Sequence, residues 1–156
     1  MSTAILLGAG ASRAEGAPIQ SEIFEDFFSD IYGEDATVNQ AGKEVESYLQ
    51  FIFGIDTGRE NPEDLHFPTF EEALGLIDLA LRRTESFRGF QLSSPAANSG
   101  RLRRLRHHLV MVLAKTISDS IGTREGYHTE LIDELADSGL LADSVVLTTN
   151  YDILVD

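Results

Sequence analysis

An α/β domain built on a parallel sheet is predicted for this chain, from three observations. An apolar run at Thr3-Ala4-Ile5-Leu6-Leu7 leads straight into a glycine-rich turn, as a buried parallel strand does. A second apolar run, Ser144-Val145-Val146-Leu147-Thr148-Thr149, ends in the polar loop Asn150-Tyr151-Asp152. Between the two lie helical patterns and no further convincing strand, so the domain carries a large helical insertion at about 19–138. Sheets covered on both faces usually have about four to six strands. With two in view, the sheet is expected to be incomplete at the C-terminus.

Each element has its own signal. After the first strand the turn Gly8-Ala9-Gly10-Ala11-Ser12 is predicted as a loop, and Pro18 stands where a helix could begin. Ile19, Ile23, Phe24, Phe27, Phe28 and Ile31 recur at helical spacing behind it. Val45, Leu49, Ile52 and Phe53 predict a second, shorter helix, and Gly54, Gly58, Pro62 and Pro68 an irregular connection over 54–69. A third helix is predicted from about Phe70 to Arg83, burying Phe70, Leu74, Ile77 and Leu81. Residues 84–100 read as a mobile loop ending Ser93-Ser94-Pro95-Ala96-Ala97-Asn98-Ser99-Gly100. A fourth helix, about Arg101 to Ser120, places Leu102, Leu105, Leu109, Val112, Leu113 and Thr116 in one stripe. A fifth covers about Tyr127 to Ala136, with Gly139 placed to stop it.

Composition narrows the classes. The 156 residues are 42% hydrophobic and 24% charged, which suits one globular domain with a real core and excludes collagen-like and low-complexity readings. No run approaches the roughly 18 apolar residues that span a bilayer, and Met1–Leu7 lacks the basic region of a signal peptide. A cytoplasmic protein without membrane contact is expected. The lack of cysteine excludes disulfides and thiolate zinc sites within these residues, and no metal site is expected. The net charge of −14 conceals a basic middle: residues 82–115 hold Arg82, Arg83, Arg88, Arg101, Arg103, Arg104, Arg106 and Lys115 against the single acid Glu85. No aromatics interleave the arginines of 101–106 as a single-strand stacking platform requires, so direct nucleic-acid binding is not expected. Pairing with acidic helices of the same chain or of a neighbouring subunit is the more economical use.

Two loops carry the chemistry. Glycines at Gly8 and Gly10, after a strand and before a helix, let backbone N–H groups approach a pyrophosphate, although a tight turn without ligand accounts for the composition equally well. The dinucleotide pattern of dehydrogenases is not met. Its third glycine is Arg13, and the acids about 20 residues on, Asp26 and Asp30, fall in a predicted helix. Thr148-Thr149-Asn150-Tyr151-Asp152 ends a buried strand with polar groups, where α/β folds place ligand contacts. The Asn150 amide can hold a water or a ribose hydroxyl, and Asp152 can accept from an amide or a hydroxyl; an Asn/Asp turn capping the strand is the alternative.

Taken in this order, the strand with Gly-Ala-Gly-Ala-Ser, then Gly16-Ala17-Pro18, then a strand ending Thr-Thr-Asn-Tyr-Asp, resemble the sirtuin-like domain of bacteria. The match covers both ends of the chain and little of the helical region between them. The resemblance implies a Rossmann-like fold that binds NAD as its substrate and cleaves the nicotinamide–ribose bond. It also implies an antiphage defence effector, working as a homo-oligomer or with a sensor or ATPase partner protein. Gly8, Ala9, Gly10, Ala11 and Ser12 match the phosphate-binding loop, with Thr148 and Thr149 at the end of the second strand. Asn150 matches the catalytic asparagine, and Asp152 the residue that reads the nicotinamide carboxamide.

Protein-deacylating relatives carry Gly-Ile-Pro-Asp-Phe-Arg after the glycine loop, where this chain has Gly16-Ala17-Pro18-Ile19-Gln20-Ser21. That departure, with 138 positions from Ser12 to Asn150, favours NAD hydrolysis over deacylation. A non-catalytic module that senses NAD or ADP-ribose is the alternative in a different class. The family's catalytic histidine follows the Asn-Tyr-Asp loop, and only four residues follow Asp152 here. The chain therefore reads as the N-terminal portion of such a domain, and these 156 residues alone are expected to be catalytically silent.

The remaining histidines are weighed individually. His107 and His108 are adjacent on a helix, about 100° apart, so they do not chelate one metal, and solvated or packed rings are expected. His66 lies in a Pro-bounded loop. His128 is the one placed to approach the Asn150 loop, although a polar helix-start residue is the simpler role.

Overall fold

A computed structural model of the chain describes residues 3–13, 15–29, 35–59, 61–90, 94–120 and 126–148. The order is β1 (Thr3–Leu7), α1 (Ala9–Arg13), α2 (Ile23–Ser29), α3 (Ala36–Phe53), α4 (Phe70–Arg83), α5 (Pro95–Ser120), α6 (Tyr127–Asp137) and β2 (Ser144–Thr148). Single 3₁₀ turns occupy Pro62–Asp64 and Leu141–Asp143. The chain is mixed α/β and mostly helical, and it divides into two compact units. One joins Met1–Ile19 to Ile117–Asp156, and the other is Gln20–Thr116.

The first unit holds the sheet. β1 and β2 pair in parallel, Thr3 opposite Ser144 through to Leu7 opposite Thr148. Among the described residues these are its only strands, fewer than the four to six expected of a covered sheet. Its residues are correspondingly less buried than the apolar runs predict. Leu6, Val145 and Leu147 are more than half exposed, while Ile5, Leu7 and Val146 are half-buried. Side chains alternate across a strand, so one face is turned inward and the other is open. The turn after β1, expected as a loop, is a short helix, α1.

The second unit is helical and contains the larger core. Phe24 lies with its ring centroid 6.1 Å from that of Phe67 and 6.4 Å from that of Phe70. Tyr48, Leu49, Ile77, Leu102, Leu105, Leu109 and Val112 are all almost fully buried. Each such aliphatic or aromatic side chain stabilises the fold by about 1.5–3 kcal/mol. The stripe expected on α5 is buried throughout, and His108 joins it. On α4 the bounds are as predicted, but the deepest residues besides Phe70 and Ile77 are Ala73 and Ala80, with Leu74 and Leu81 half-buried beside them.

Local signals explain three boundaries that differ from expectation. α2 starts at Ile23 rather than at Pro18. The chain first turns back on α1, the N–H of Ala17 donating to the Ser12 carbonyl at 3.1 Å. α3 is 18 residues long because Asp35 caps it, its carboxylate accepting the Thr37 and Val38 N–H groups at 2.6 and 3.3 Å. Those bonds hold the Asp35 carboxyl below its ordinary value. α5 begins six residues before Arg101 because Ser94 and Pro95 start it, the Ser94 hydroxyl accepting the Ala97 N–H at 3.2 Å. This corrects the expectation of a mobile loop as far as Gly100.

Candidate functional site

The parallel register brings the start of the glycine turn to the same end of the sheet as the last residue of β2. Leu7 is paired with Thr148, so the turn beginning at Gly8 leaves the sheet at the same end as the chain that follows Thr148. Ligands of open α/β sheets bind at this carboxyl end of the strands. Thr148 is exposed there. Thr149, Asn150 and Asp152 lie outside the described residues.

The glycine turn has a definite geometry. The Gly8 carbonyl accepts the Ala11 N–H at 2.8 Å, closing the first turn of α1. A β-carbon built on Gly8 or Gly10 meets nothing within 4 Å. Neither glycine has the positive φ that a side chain would resist, and neither is pressed by a neighbour. Among the described residues, nothing else occupies the space over either glycine. Ser12 is fully buried, and its carbonyl accepts the N–H groups of Glu15 at 3.0 Å and Ala17 at 3.1 Å. The Ser12 backbone carbonyl thus anchors the turn that follows α1.

Gly16, the first residue of the Gly-Ala-Pro match, does require glycine. Its φ is +98°, and a β-carbon would lie 2.8 Å from the Ser120 carbonyl oxygen. The turn from α1 is therefore seated against the end of α5, within the same unit.

Directly before Gly16 lies Glu15, which the sequence does not single out. Its Oε1 accepts the His128 backbone N–H at 2.8 Å and faces His128 Nδ1 at 2.6 Å. Both residues are buried, each 7% exposed. His128 is the second residue of α6, and the residue before the helix is Gly126, which has no side chain with which to cap it. Glu15 supplies that cap from 113 positions away, with its charge at the positive end of the helix dipole. Desolvation pushes the Glu15 carboxyl up, but the two hydrogen bonds and the charge of His128 together outweigh it and hold the group below its ordinary value. An ionised carboxylate only accepts, so Nδ1 carries the proton of this contact. Nε2 is buried, with no hydrogen-bond partner among the described residues.

The other candidates resolve differently. His107 is exposed and His108 buried, the latter with Nδ1 3.2 Å from Glu44 Oε2. His66 lines an open groove of about 630 Å³ in the helical unit, with Phe53, Phe67, Glu71 and Leu76. The arginine patch is partly absorbed by acids of the same unit: Arg104 pairs with Glu44 at 3.3 Å and Arg106 with Asp78 at 2.8 Å. The Arg101 guanidinium lies 3.5 Å from the centre of the Phe90 ring. Among the described residues no cluster of three or more His, Asp or Glu could hold a metal, and no helix is long and apolar enough to cross a membrane. No family model, curated protein or solved structure matches this chain.

Proposed function

We propose that this chain is the nucleotide-binding part of a sirtuin-like NAD glycohydrolase, with a Rossmann-like sheet into which the helical unit is inserted. One observation carries the reading: the in-register pairing of Leu7 with Thr148, which sets the open glycine turn beside the end of β2. The NAD pyrophosphate lies over Gly8 and Gly10, where no side chain intervenes. Asn150, two residues beyond Thr148, orients the nicotinamide ribose or the attacking water, and Asp152 accepts from the carboxamide. Hydrolysis breaks the bond between the ribose carbon and the nicotinamide nitrogen through an oxocarbenium-like state. Water supplies the oxygen, and a base takes its proton. The physiological setting proposed is an antiphage effector of the cytoplasm, assembled with itself or with a sensor partner.

The test is nicotinamide release from NAD by the protein with the whole of its reading frame. Turnover that Asn150→Ala reduces by two orders of magnitude or more is expected. Saturable NAD binding without any release would transfer the chain to the sensing class. Release that is indifferent to Asn150→Ala would remove this site from the reaction.

A further inference from the structure

The helical unit contains a groove that the nucleotide reading does not use. Its volume is about 630 Å³, within the range of small-molecule sites, and every residue lining it lies between Gln20 and Thr116. Phe53 at the end of α3, Phe67 in the connection and Leu76 and Leu79 of α4 line it with apolar surface. The Phe67 ring is held in place by stacking on Phe28, the centroids 5.8 Å apart. Gly75 lies among these residues, and a β-carbon built on it meets nothing within 4 Å. A glycine inside a helix is less favourable than most side chains, and no neighbour here requires one. What it leaves is bare backbone at the groove.

The groove is acidic as well as apolar. Glu71 and Glu72 line it, and no Lys or Arg does. The Glu72 carboxylate is already engaged, accepting the Thr69 N–H at 2.8 Å and the Thr69 hydroxyl at 3.1 Å. Glu71 is not: both its carboxylate oxygens are buried with no hydrogen-bond partner among the described residues. A carboxylate shielded from water and left unpaired is costly, and a cation that donates hydrogen bonds removes that cost. The positive end of α4 amounts to about half a charge, which two acids in its first turn outweigh.

We propose that this groove binds a small organic amine, its ammonium paired with Glu71 and its hydrocarbon body against Phe53, Phe67 and Leu76. On binding, a change of rotamer turns the Glu71 carboxylate to the ammonium, which brings several donors and is drawn to aromatic ring faces. The same acids repel an anion such as a nucleotide, so the site shares no role with the glycine turn and stands or falls independently of it.

Phenethylamine is the probe, and phenethyl alcohol, of nearly the same shape without the charge, is its control. Both are titrated into the ¹⁵N-labelled chain at pH 7, and the backbone amide shifts give the dissociation constants. The amine should move the amides of Gly75, Leu76 and Leu79 and bind about tenfold more tightly than the alcohol. Glu71→Gln should remove that preference and leave the binding of the alcohol as it was. Gly75→Leu puts a better helix former into the vacancy, and should weaken both probes by about tenfold or more with an unchanged circular dichroism spectrum. Equal binding of the two probes overturns the inference, as does a preference that survives Glu71→Gln or a loss of both probes from that variant. Binding of neither probe by the unsubstituted chain, or shifts confined to other residues, overturns it too. Should Glu71→Gln fail to fold, the preference shown by the unsubstituted chain and its loss in Gly75→Leu decide.

Discussion

The carboxylate of Glu15 occupies the space that a β-carbon on Gly126 would need. A side chain built there would lie 2.7 Å from Oε2 and closer still to Oε1, although Gly126 itself has an ordinary φ of −102°. The glycine is thus demanded by its neighbour and not by its backbone. Gly126→Ala is expected to destabilise the chain by about 1–3 kcal/mol through overpacking against a carboxylate that is already bonded twice. Urea denaturation measures this, and a midpoint equal to that of the unsubstituted chain would contradict it.

The same carboxylate predicts a pH dependence. Its folded-state pKa lies below the ordinary 4.5, so its contribution is fully present above 4.5 and is lost as the pH falls through the lowered value. The stability difference between the unsubstituted chain and Glu15→Gln should shrink as the pH falls from 4.5 through the lowered value of the carboxyl. Thermal melts from pH 7 to pH 3 would show it. A difference that grows as the pH falls below 4.5 has the wrong sign for this carboxyl.

In the helical unit, Thr69 closes a reciprocal cap on α4. Its hydroxyl accepts the Glu72 N–H at 3.2 Å while the Glu72 carboxylate accepts the Thr69 N–H at 2.8 Å. Thr69→Ala should cost about 1 kcal/mol, and the same substitution in a Glu72→Ala background distinctly less, since the two bonds are made together. A double-mutant cycle in urea reads the coupling, and strict additivity would remove it.

Tyr48 is almost fully buried, and its hydroxyl donates to the Ala73 carbonyl at 2.9 Å. Burial raises its phenol above the ordinary 10.0, so it stays neutral through the physiological range. Tyr48→Phe is expected to lose about 1 kcal/mol without changing the fold. Equilibrium unfolding with unchanged circular dichroism is the expected pair of results.

The open face of the sheet predicts association. Leu6, Val145 and Leu147 are 70, 55 and 53% exposed. Each strand also has one partner among the described residues, which leaves a strand edge available. Sedimentation at several concentrations should show self-association that Leu6→Lys reduces. A single species at every concentration would count against it.

Where periodicity and capping coincide, the sequence was legible. The limits of α4 and the stripe on α5 follow from apolar spacing alone. The start of α3 did not, because residues 36–44 bury only the small Ala41 and Gly42, and its true signal is the cap at Asp35. Ser94-Pro95 was obscured in the same way by loop-like composition. At the site, β1 and β2 were legible because each is a local apolar run, whereas the segment read as a glycine loop is helical from Ala9. The Glu15–His128 pair was not, since nothing local distinguishes two residues 113 positions apart. Ser12, read from the motif as part of the phosphate-binding loop, is fully buried, which composition alone does not reveal.

The pairing of β1 with β2 also sets the time at which the site comes into being. Thr3 emerges at the start of synthesis and its partner Ser144 near the end of these residues. At 5–20 residues per second the interval is on the order of ten seconds. The helical segment between them, rich in local contacts, can condense in that time, whereas the strand pair must await its second member. Until then β1 is a nascent strand with its glycine turn attached and without its partner β2. A chain interrupted before β2 would retain its helical segments and lack the strand pair on which the proposed site rests.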